Sequence, residues 1–153
     1  MRGSVRTTAL LALLAPVFGL GACARPVAPP LTTSTAAALS LHEREVDARK
    51  NELLRQLAIC ESGGDGDSDR PIYGGRGSYA GRFQFTTRTV INYVREMDGR
   101  QLSSQEALLL AHDYSQARDL AKYVIFERGH YWNWPACSRK LGLAKEVEDI
   151  RAM

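Results

Sequence analysis

A helical apolar pattern runs into a cysteine, a glutamate and two glycines in the segment Leu57-Ala58-Ile59-Cys60-Glu61-Ser62-Gly63-Gly64. Apolar residues recur at three- and four-residue intervals before the cysteine, which predicts a helix from about Leu41 to Cys60. The glycine pair then ends that helix. The sequence therefore places Glu61 where a helix stops and a loop begins.

The flanking sequence predicts where the first two helices begin and end. Ser40 is followed three residues later by Glu43, a capping-box pattern at the start of the first helix. A second helix is expected to begin after Thr86 or Thr87, with an apolar stripe on one face, and to end at Gly99.

A third helix is predicted to begin at Ser103, with Glu106 completing another capping box, and to continue until Gly129. Residues 65–81 are dense in Gly, Asp and Ser, so we expect a long loop or an irregular short hairpin there. The predicted fold is therefore mainly α, a compact helical domain with one glycine-rich loop.

The N-terminal residues 1–22 combine two arginines with a short apolar run, as in a secretion signal. The ending Leu20-Gly21-Ala22-Cys23 resembles the lipobox of bacterial lipoproteins, which implies a lipid anchor on Cys23 and an exported, membrane-attached protein. The alternative is an ordinary signal peptide cut nearby. Residues 23–40 carry three prolines and a Thr/Ser cluster, so they are interpreted as a flexible linker.

Length and composition restrict the class of protein. The chain has 153 residues, 44% hydrophobic and 24% charged, which fits one globular domain and excludes a disordered, collagenous or polytopic membrane protein. Its 20 basic and 17 acidic side chains give a net charge of +3, and loss of Arg2 and Arg6 leaves 18 basic side chains and +1. So small a charge predicts no nucleic-acid partner, and we expect a monomer.

The chain has three cysteines, one in the predicted lipobox and two in the predicted domain. If Cys23 carries lipid, Cys60 and Cys137 are the pair left for an oxidising compartment, and a disulfide between them is expected. The alternative is two buried free thiols. A zinc site built from these two cysteines with His112 and His130 is disfavoured, because no short paired spacing occurs.

Glu61 is a candidate proton donor. A helix C-terminus, apolar neighbours and the acidic loop from Asp65 to Asp69 would each raise the pKa of its carboxyl. A carboxylic acid that stays protonated near neutral pH can protonate a glycosidic oxygen. The alternative is a solvated glutamate at a helix end.

Three segments together resemble the resuscitation-promoting factor domain of actinobacteria, a relative of lysozyme and the lytic transglycosylases. They are the segment 57–64 quoted above, Tyr79-Ala80-Gly81-Arg82-Phe83-Gln84-Phe85 with Thr89, and Trp134-Pro135-Ala136-Cys137-Ser138-Arg139-Lys140-Leu141-Gly142. The resemblance covers about residues 52–142, so the domain is placed at 41–142 with a C-terminal tail at 143–153. It implies a lysozyme-like α+β fold.

The resemblance also implies roles for individual residues. Glu61 falls on the family's muralytic glutamate, and the family disulfide falls on Cys60 and Cys137. The substrate-binding candidates are Gln84, Thr89, Tyr79 and Trp134.

Each substrate-binding candidate has a structural alternative. Gln84 could pin the loop backbone instead of binding a sugar amide, and Thr89 could make a local helix-start bond. Trp134 is the better candidate for packing beneath the disulfide, and Tyr79 the better candidate for an exposed sugar platform.

Departures from the family pattern fall in the expected cleft. Asp65-Gly66-Asp67-Ser68-Asp69-Arg70 replaces the usual segment after Ser-Gly-Gly in a longer loop, Arg82 replaces a glycine, and Val90 and Tyr131 replace tryptophans. Basic residues where a calcium loop needs Gly and Glu argue against calcium, and no metal or cofactor is expected. His112 and Asp113 are expected to face solvent, since no serine elbow accompanies them.

The resemblance implies cleavage of the β-1,4 bond between N-acetylmuramic acid and N-acetylglucosamine in peptidoglycan, with Glu61 as general acid and base. The partners would be glycan strands and, through Cys23, the membrane; any partner hydrolase is unidentified. A second carboxylate, if used, would come from Asp65, Asp67 or Asp69. The alternative function is a non-catalytic lipoprotein that binds cell-wall glycan.

Overall fold

Six α-helices and one short hairpin make up the computed structural model, which describes residues 33–153. The predicted signal peptide, the lipidation at Cys23 and most of the expected linker lie outside these residues. The helices are α1 Thr33–Ser62, α2 Thr87–Asp98, α3 Ser104–His112, α4 Tyr114–Lys122, α5 Pro135–Leu141 and α6 Leu143–Arg151. The antiparallel strands are β1 Tyr73–Gly74 and β2 Tyr79–Ala80. The prediction of a mainly helical domain is confirmed, and none of the described helices is long and apolar enough to cross a membrane.

Helix α1 begins eight residues earlier than expected, at Thr33 instead of Leu41. Residues 36–39 read Ala-Ala-Ala-Leu, the strongest helix formers in the expected linker, so the helix extends through Ser40 and the predicted capping box there is wrong. The second half of α1 is anchored by leucines that are buried in the core, Leu53, Leu54 and Leu57. The described part of the chain thus carries Glu61 at the end of a 30-residue helix.

Helix α2 follows its prediction. The Thr86 side chain accepts a hydrogen bond from the Thr89 backbone N–H at the start, and Gly99 ends the helix in the left-handed conformation. Val90 and Val94 are fully buried, so the predicted apolar stripe faces the core.

The expected long third helix is broken at Asp113 into α3 and α4. Ser103 and Glu106 form the predicted capping box of α3. Asp113 then ends α3 and begins α4, because its side chain accepts a hydrogen bond from the backbone N–H of Gln116. The apolar periodicity continues in register on both sides of the break, with Ala107, Leu110, Ala117, Ala121 and Val124 buried.

The expected tail at 143–153 contains helix α6, Leu143–Arg151. Leu143, Val147 and Ile150 lie on one face of α6 and are buried in the same core as α1. Arg49 of α1 and Glu146 of α6 form an ion pair at 2.9 Å. The packed body therefore continues to the end of the chain.

The hairpin lies against α3 through a close backbone approach at Gly81. A Cβ atom built on Gly81 would lie 1.6 Å from the carbonyl oxygen of Ala111. Ala80 and Phe85 exchange backbone hydrogen bonds across the tight turn between them. Phe83, within that turn, is completely buried and stacks on Tyr114 with ring centroids 5.9 Å apart. The turn is thus anchored in the core, and it orients the hairpin beside the end of α1.

Candidate active site

A cleft of about 250 Å³ opens at the end of α1, between the hairpin and the segment that leads into α5. Its lining residues come from three separate parts of the sequence: Glu61, Tyr79, Gln84, Asn133, Trp134, Pro135 and Ala136. Four of the predicted site residues therefore meet in one place. Thr89 is not among the lining residues.

Glu61 lies in the last turn of α1 and its side chain is half-buried. Within residues 33–153 its carboxylate has no hydrogen-bond or ion-pair partner. Burial alone raises the pKa of the Glu61 carboxyl, because desolvation disfavours the charged form. Burial is one of the three causes expected from sequence. Such a group can hold a proton and give it to a molecule that enters the cleft.

A disulfide joins the two chain segments that form this side of the cleft. Cys60 precedes Glu61, Cys137 follows Ala136, and the bond brings their Cα atoms to 5.9 Å across a sequence separation of 77 residues. The predicted pairing is confirmed, and the free-thiol alternative is wrong. Because both sulfurs are in the disulfide, neither is a thiolate ligand for zinc.

Gln84 enters the cleft from a strained backbone position. Its φ is +50°, a left-handed conformation that costs a non-glycine residue roughly 1 kcal/mol or more. Its backbone N–H and its side-chain amide both donate to the Gly81 carbonyl, at 3.2 and 2.7 Å. Its Oε1 atom lies where a Cβ on Gly74 would approach to 1.9 Å. Gln84 thus pins the loop backbone and lines the cleft at once.

Tyr79 and Trp134 are the two predicted aromatic contacts, and they differ in exposure. The Tyr79 side chain is 43% exposed, with its ring packed over Gly75, where a Cβ atom would approach to 2.5 Å. Trp134 is only 3% exposed, and its indole N–H donates to the Phe83 carbonyl at 2.7 Å. The burial of Trp134 favours packing as its main role, whereas the Tyr79 ring lines the cleft and remains partly exposed.

Thr89 serves the start of α2. Its backbone N–H donates to the Thr86 hydroxyl oxygen at 3.1 Å, and the two hydroxyls lie 2.7 Å apart. These contacts are the local helix-start bonds that were the alternative to sugar binding. The structure therefore separates Thr89 from the other predicted site residues.

The acidic loop is fixed to the helices on the other side of Glu61. Asp65 forms an ion pair with Arg55 at 3.7 Å, and both line a separate groove beside Tyr114. Asp67 accepts from the Tyr114 backbone N–H, and Arg82 donates to the Gly66 carbonyl at 3.0 Å.

This arrangement keeps the loop acids out of the cleft. Asp65, Asp67 and Asp69 are absent from the residues that line it, and within residues 33–153 Glu61 supplies its one carboxylate. Arg82, a departure from the family pattern, is the side chain that ties the longer loop to the hairpin.

The expectation that His112 faces solvent is wrong. Its Nδ1 atom accepts from the Ile72 backbone N–H at 3.4 Å, and its ring meets the Tyr73 ring edge-on at 5.0 Å. Burial lowers the pKa of the His112 imidazole, which favours the neutral ring. His112 thus joins α3 to the hairpin, while Asp113 beside it caps α4.

Three cleft residues were not predicted: Asn133, Pro135 and Ala136. They flank Trp134 in the segment that leads to Cys137. Because the disulfide holds this segment beside Glu61, its neighbours are carried to the cleft with it. Their position next to Cys137, the expected disulfide partner of Cys60, was the sequence signal that could have placed them beside Glu61.

Comparisons of the chain with protein-family models, with curated proteins and with solved structures find no match.

Proposed function

We propose that this chain is a peptidoglycan-cleaving glycosidase related to the resuscitation-promoting factor domain. It cleaves the β-1,4 bond between N-acetylmuramic acid and N-acetylglucosamine. The observation that carries the proposal is Glu61, an unpaired carboxyl with a raised pKa in a cleft beside Tyr79 and Gln84. A lysozyme-like α+β class fits a helical body with a small hairpin beside the acid.

In this mechanism Glu61 donates its proton to the leaving glycosidic oxygen and then accepts one from the nucleophile. Two-carboxylate glycosidases place their second carboxyl about 5 to 9.5 Å from the first, across the scissile bond. Because Glu61 supplies the one carboxylate of the described cleft, the arrangement favours attack by the 6-hydroxyl of the sugar itself, as in a lytic transglycosylase.

The proposed location is outside the cytoplasm, with a lipid anchor on Cys23. The disulfide between Cys60 and Cys137 supports export, because such bonds persist mainly in oxidising compartments. Comparing detergent partitioning of the exported chain with that of Cys23→Ser tests the anchor. We expect the wild-type chain in the detergent phase and the variant in the aqueous phase; equal aqueous partitioning would remove the anchor from the proposal.

The decisive test of catalysis compares Glu61→Gln with Glu45→Gln. Glu45 lies on the same helix and is exposed, so its amide variant controls for the loss of one charge. Glu61→Gln keeps the shape but has no proton to deliver, and we expect clearing of a cell-wall suspension to slow by about 10²- to 10⁴-fold. Glu45→Gln should clear the suspension at the wild-type rate.

Two readouts make this experiment specific. Mass spectrometry of the digest should find 1,6-anhydromuramic ends; reducing ends would instead establish water as the nucleophile. A Glu61→Gln rate within about tenfold of wild type would exclude Glu61 as the general acid. Co-sedimentation of the wild-type chain with walls that it does not clear would favour the glycan-binding alternative.

A further inference from the structure

Trp132 presents a large aromatic face just outside the proposed cleft. It lies in the 3₁₀ turn Tyr131–Asn133, and its side chain is 59% exposed, whereas Trp134 two residues later is 3% exposed. A single exposed apolar side chain is common on protein surfaces and carries no argument alone. The way in which Trp132 is supported is what distinguishes it.

The Trp132 ring rests against a histidine that is itself fixed. The ring centroids of Trp132 and His130 are 4.3 Å apart. The Nδ1 atom of His130 lies 2.8 Å from the Tyr93 hydroxyl of α2, at hydrogen-bonding distance. The aromatic face is therefore supported from below by a side chain that α2 anchors.

Asn133 locks the turn and connects it to the cleft. Its side-chain amide donates to the Tyr93 hydroxyl at 3.1 Å and to the His130 carbonyl at 2.9 Å. The same residue lines the cleft with Glu61. Trp132 is thus the chain neighbour of a cleft residue whose side chain is fixed by the same Tyr93 hydroxyl that holds His130.

An exposed indole beside a fixed amide matches the chemistry of a pyranose ring, which has an apolar C–H face and a polar edge. A preordered indole gives a large contact area at little conformational cost, and the neighbouring amide can pair with hydroxyl or acetamido groups. Resting on the function proposed above, we propose that Trp132 forms a further sugar subsite, which holds a pyranose of the glycan strand beyond the two sugars flanking the cleaved bond.

The test measures binding of soluble β-1,4-linked N-acetylglucosamine oligomers to the full chain carrying Glu61→Gln, so that no cleavage interferes. Trp132→Ala in that background should weaken binding of the six-sugar oligomer by about fivefold, the loss expected for one aromatic contact. Binding of the two-sugar oligomer should not change. Trp132→Phe should recover part of the affinity.

Leu109→Ala is the matched control, because Leu109 is a large apolar side chain that is 64% exposed and does not line the cleft. It should leave the affinity for every oligomer unchanged. Equal six-sugar affinity in Trp132→Ala and its parent overturns the subsite. An equal loss for the two- and six-sugar oligomers also overturns it, because a general defect of the cleft would then be the cause.

The subsite and the catalytic proposal can fail separately. If the wild-type chain clears walls but Trp132→Ala does not change oligomer affinity, the subsite is overturned and the proposed role of Glu61 stands. Trp132-dependent binding by a chain that clears no walls supports the subsite and overturns the enzyme. A Trp132→Ala variant that changes self-association but not oligomer affinity identifies a protein contact and overturns the subsite.

Discussion

The two walls of the cleft are held in place by different physical means. One wall consists of Glu61 and the segment Trp134–Ala136, which are joined by the disulfide between their neighbours Cys60 and Cys137. The other consists of Tyr79 on the hairpin and Gln84 in the turn after it. The Gln84 backbone N–H and side-chain amide both donate to the Gly81 carbonyl, and the two side chains pack over Gly75 and Gly74.

This difference follows what each wall has to do in the proposed reaction. A proton donor must keep its position within a fraction of an ångström, and a covalent bond beside Glu61 provides that. In the proposed reaction the hairpin wall would contact the sugar through the exposed Tyr79 ring and the Gln84 side chain. We call them the disulfide wall and the hairpin wall.

The largest expected effect comes from breaking the disulfide wall. Replacing both Cys60 and Cys137 with serine removes a cross-link over 77 residues, and chain-entropy arguments put the loss of unfolding free energy at roughly 4 kcal/mol. Denaturant unfolding measures it, with the reduced wild-type chain as a matched reference. A loss below about 1 kcal/mol would mean that packing around Trp134 holds this wall without the bond.

The next effect concerns the hairpin wall and the space beside Gln84. Gly74 has φ −126°, which any residue adopts, so Gly74→Ala tests space without backbone strain. The new methyl group would displace the Gln84 side chain, and we expect wall clearing to fall by about tenfold or more. Ser78→Ala, at an exposed position of the same hairpin, should clear at the wild-type rate. Equal rates of wall clearing in Gly74→Ala and Ser78→Ala would show that the position of the Gln84 side chain does not affect turnover.

A smaller effect should follow from releasing the acidic loop. Arg82→Ala removes the hydrogen bond to the Gly66 carbonyl, which should lower the unfolding free energy by about 1 kcal/mol. Wall clearing should stay within about twofold, because Asp65 lines another groove and neither Asp67 nor Asp69 lines the cleft. Arg70→Ala, an exposed neighbour, is the control for the lost charge. A large loss of wall clearing in Arg82→Ala but not in Arg70→Ala would mean that the acidic loop contributes to the hairpin wall of the cleft.

The smallest effect is the dependence of stability on pH. Burial raises the pKa of the Glu61 carboxyl, so the folded chain binds this proton more tightly than the unfolded chain does. The resulting stabilisation is fully present below the ordinary pKa of 4.5 and is lost as pH rises through the folded-state pKa. Unfolding free energy of the wild-type chain, relative to Glu61→Gln, should therefore fall over that range and then level off. A relative stability that rises with pH would mean that the carboxylate has a stabilising partner.

The pairing that holds the disulfide wall could be predicted from sequence although its cysteines are 77 positions apart, because only Cys60 and Cys137 remain if Cys23 carries lipid. An apolar helix pattern that ends at Cys60 and Glu61 places the other side of this wall. The hairpin wall depends instead on how side chains pack against individual glycines. The role of Gly74 is set by Gln84, and no spacing rule reveals that pairing.

Two of the differences between the predicted and the observed fold have separate physical causes. Apolar periodicity does not reveal the break at Asp113, because the apolar face continues in register from α3 into α4. The signal for the break is the Asp113 side chain, which caps the start of α4. Helix α6 was missed although Leu143, Val147 and Ile150 have helical spacing, because the family resemblance ends at Gly142. The spacing of these three residues predicts a helix here without the resemblance.

The disulfide between Cys60 and Cys137 also sets when the cleft can exist during synthesis. Glu61 emerges early, whereas Asn133 to Ala136 emerge more than 70 residues later. A nascent chain that stops before them has the acid but lacks the wall beside it. The proposed proton donor therefore lacks its surroundings through most of translation and acquires them only after Cys137 is available to be oxidised.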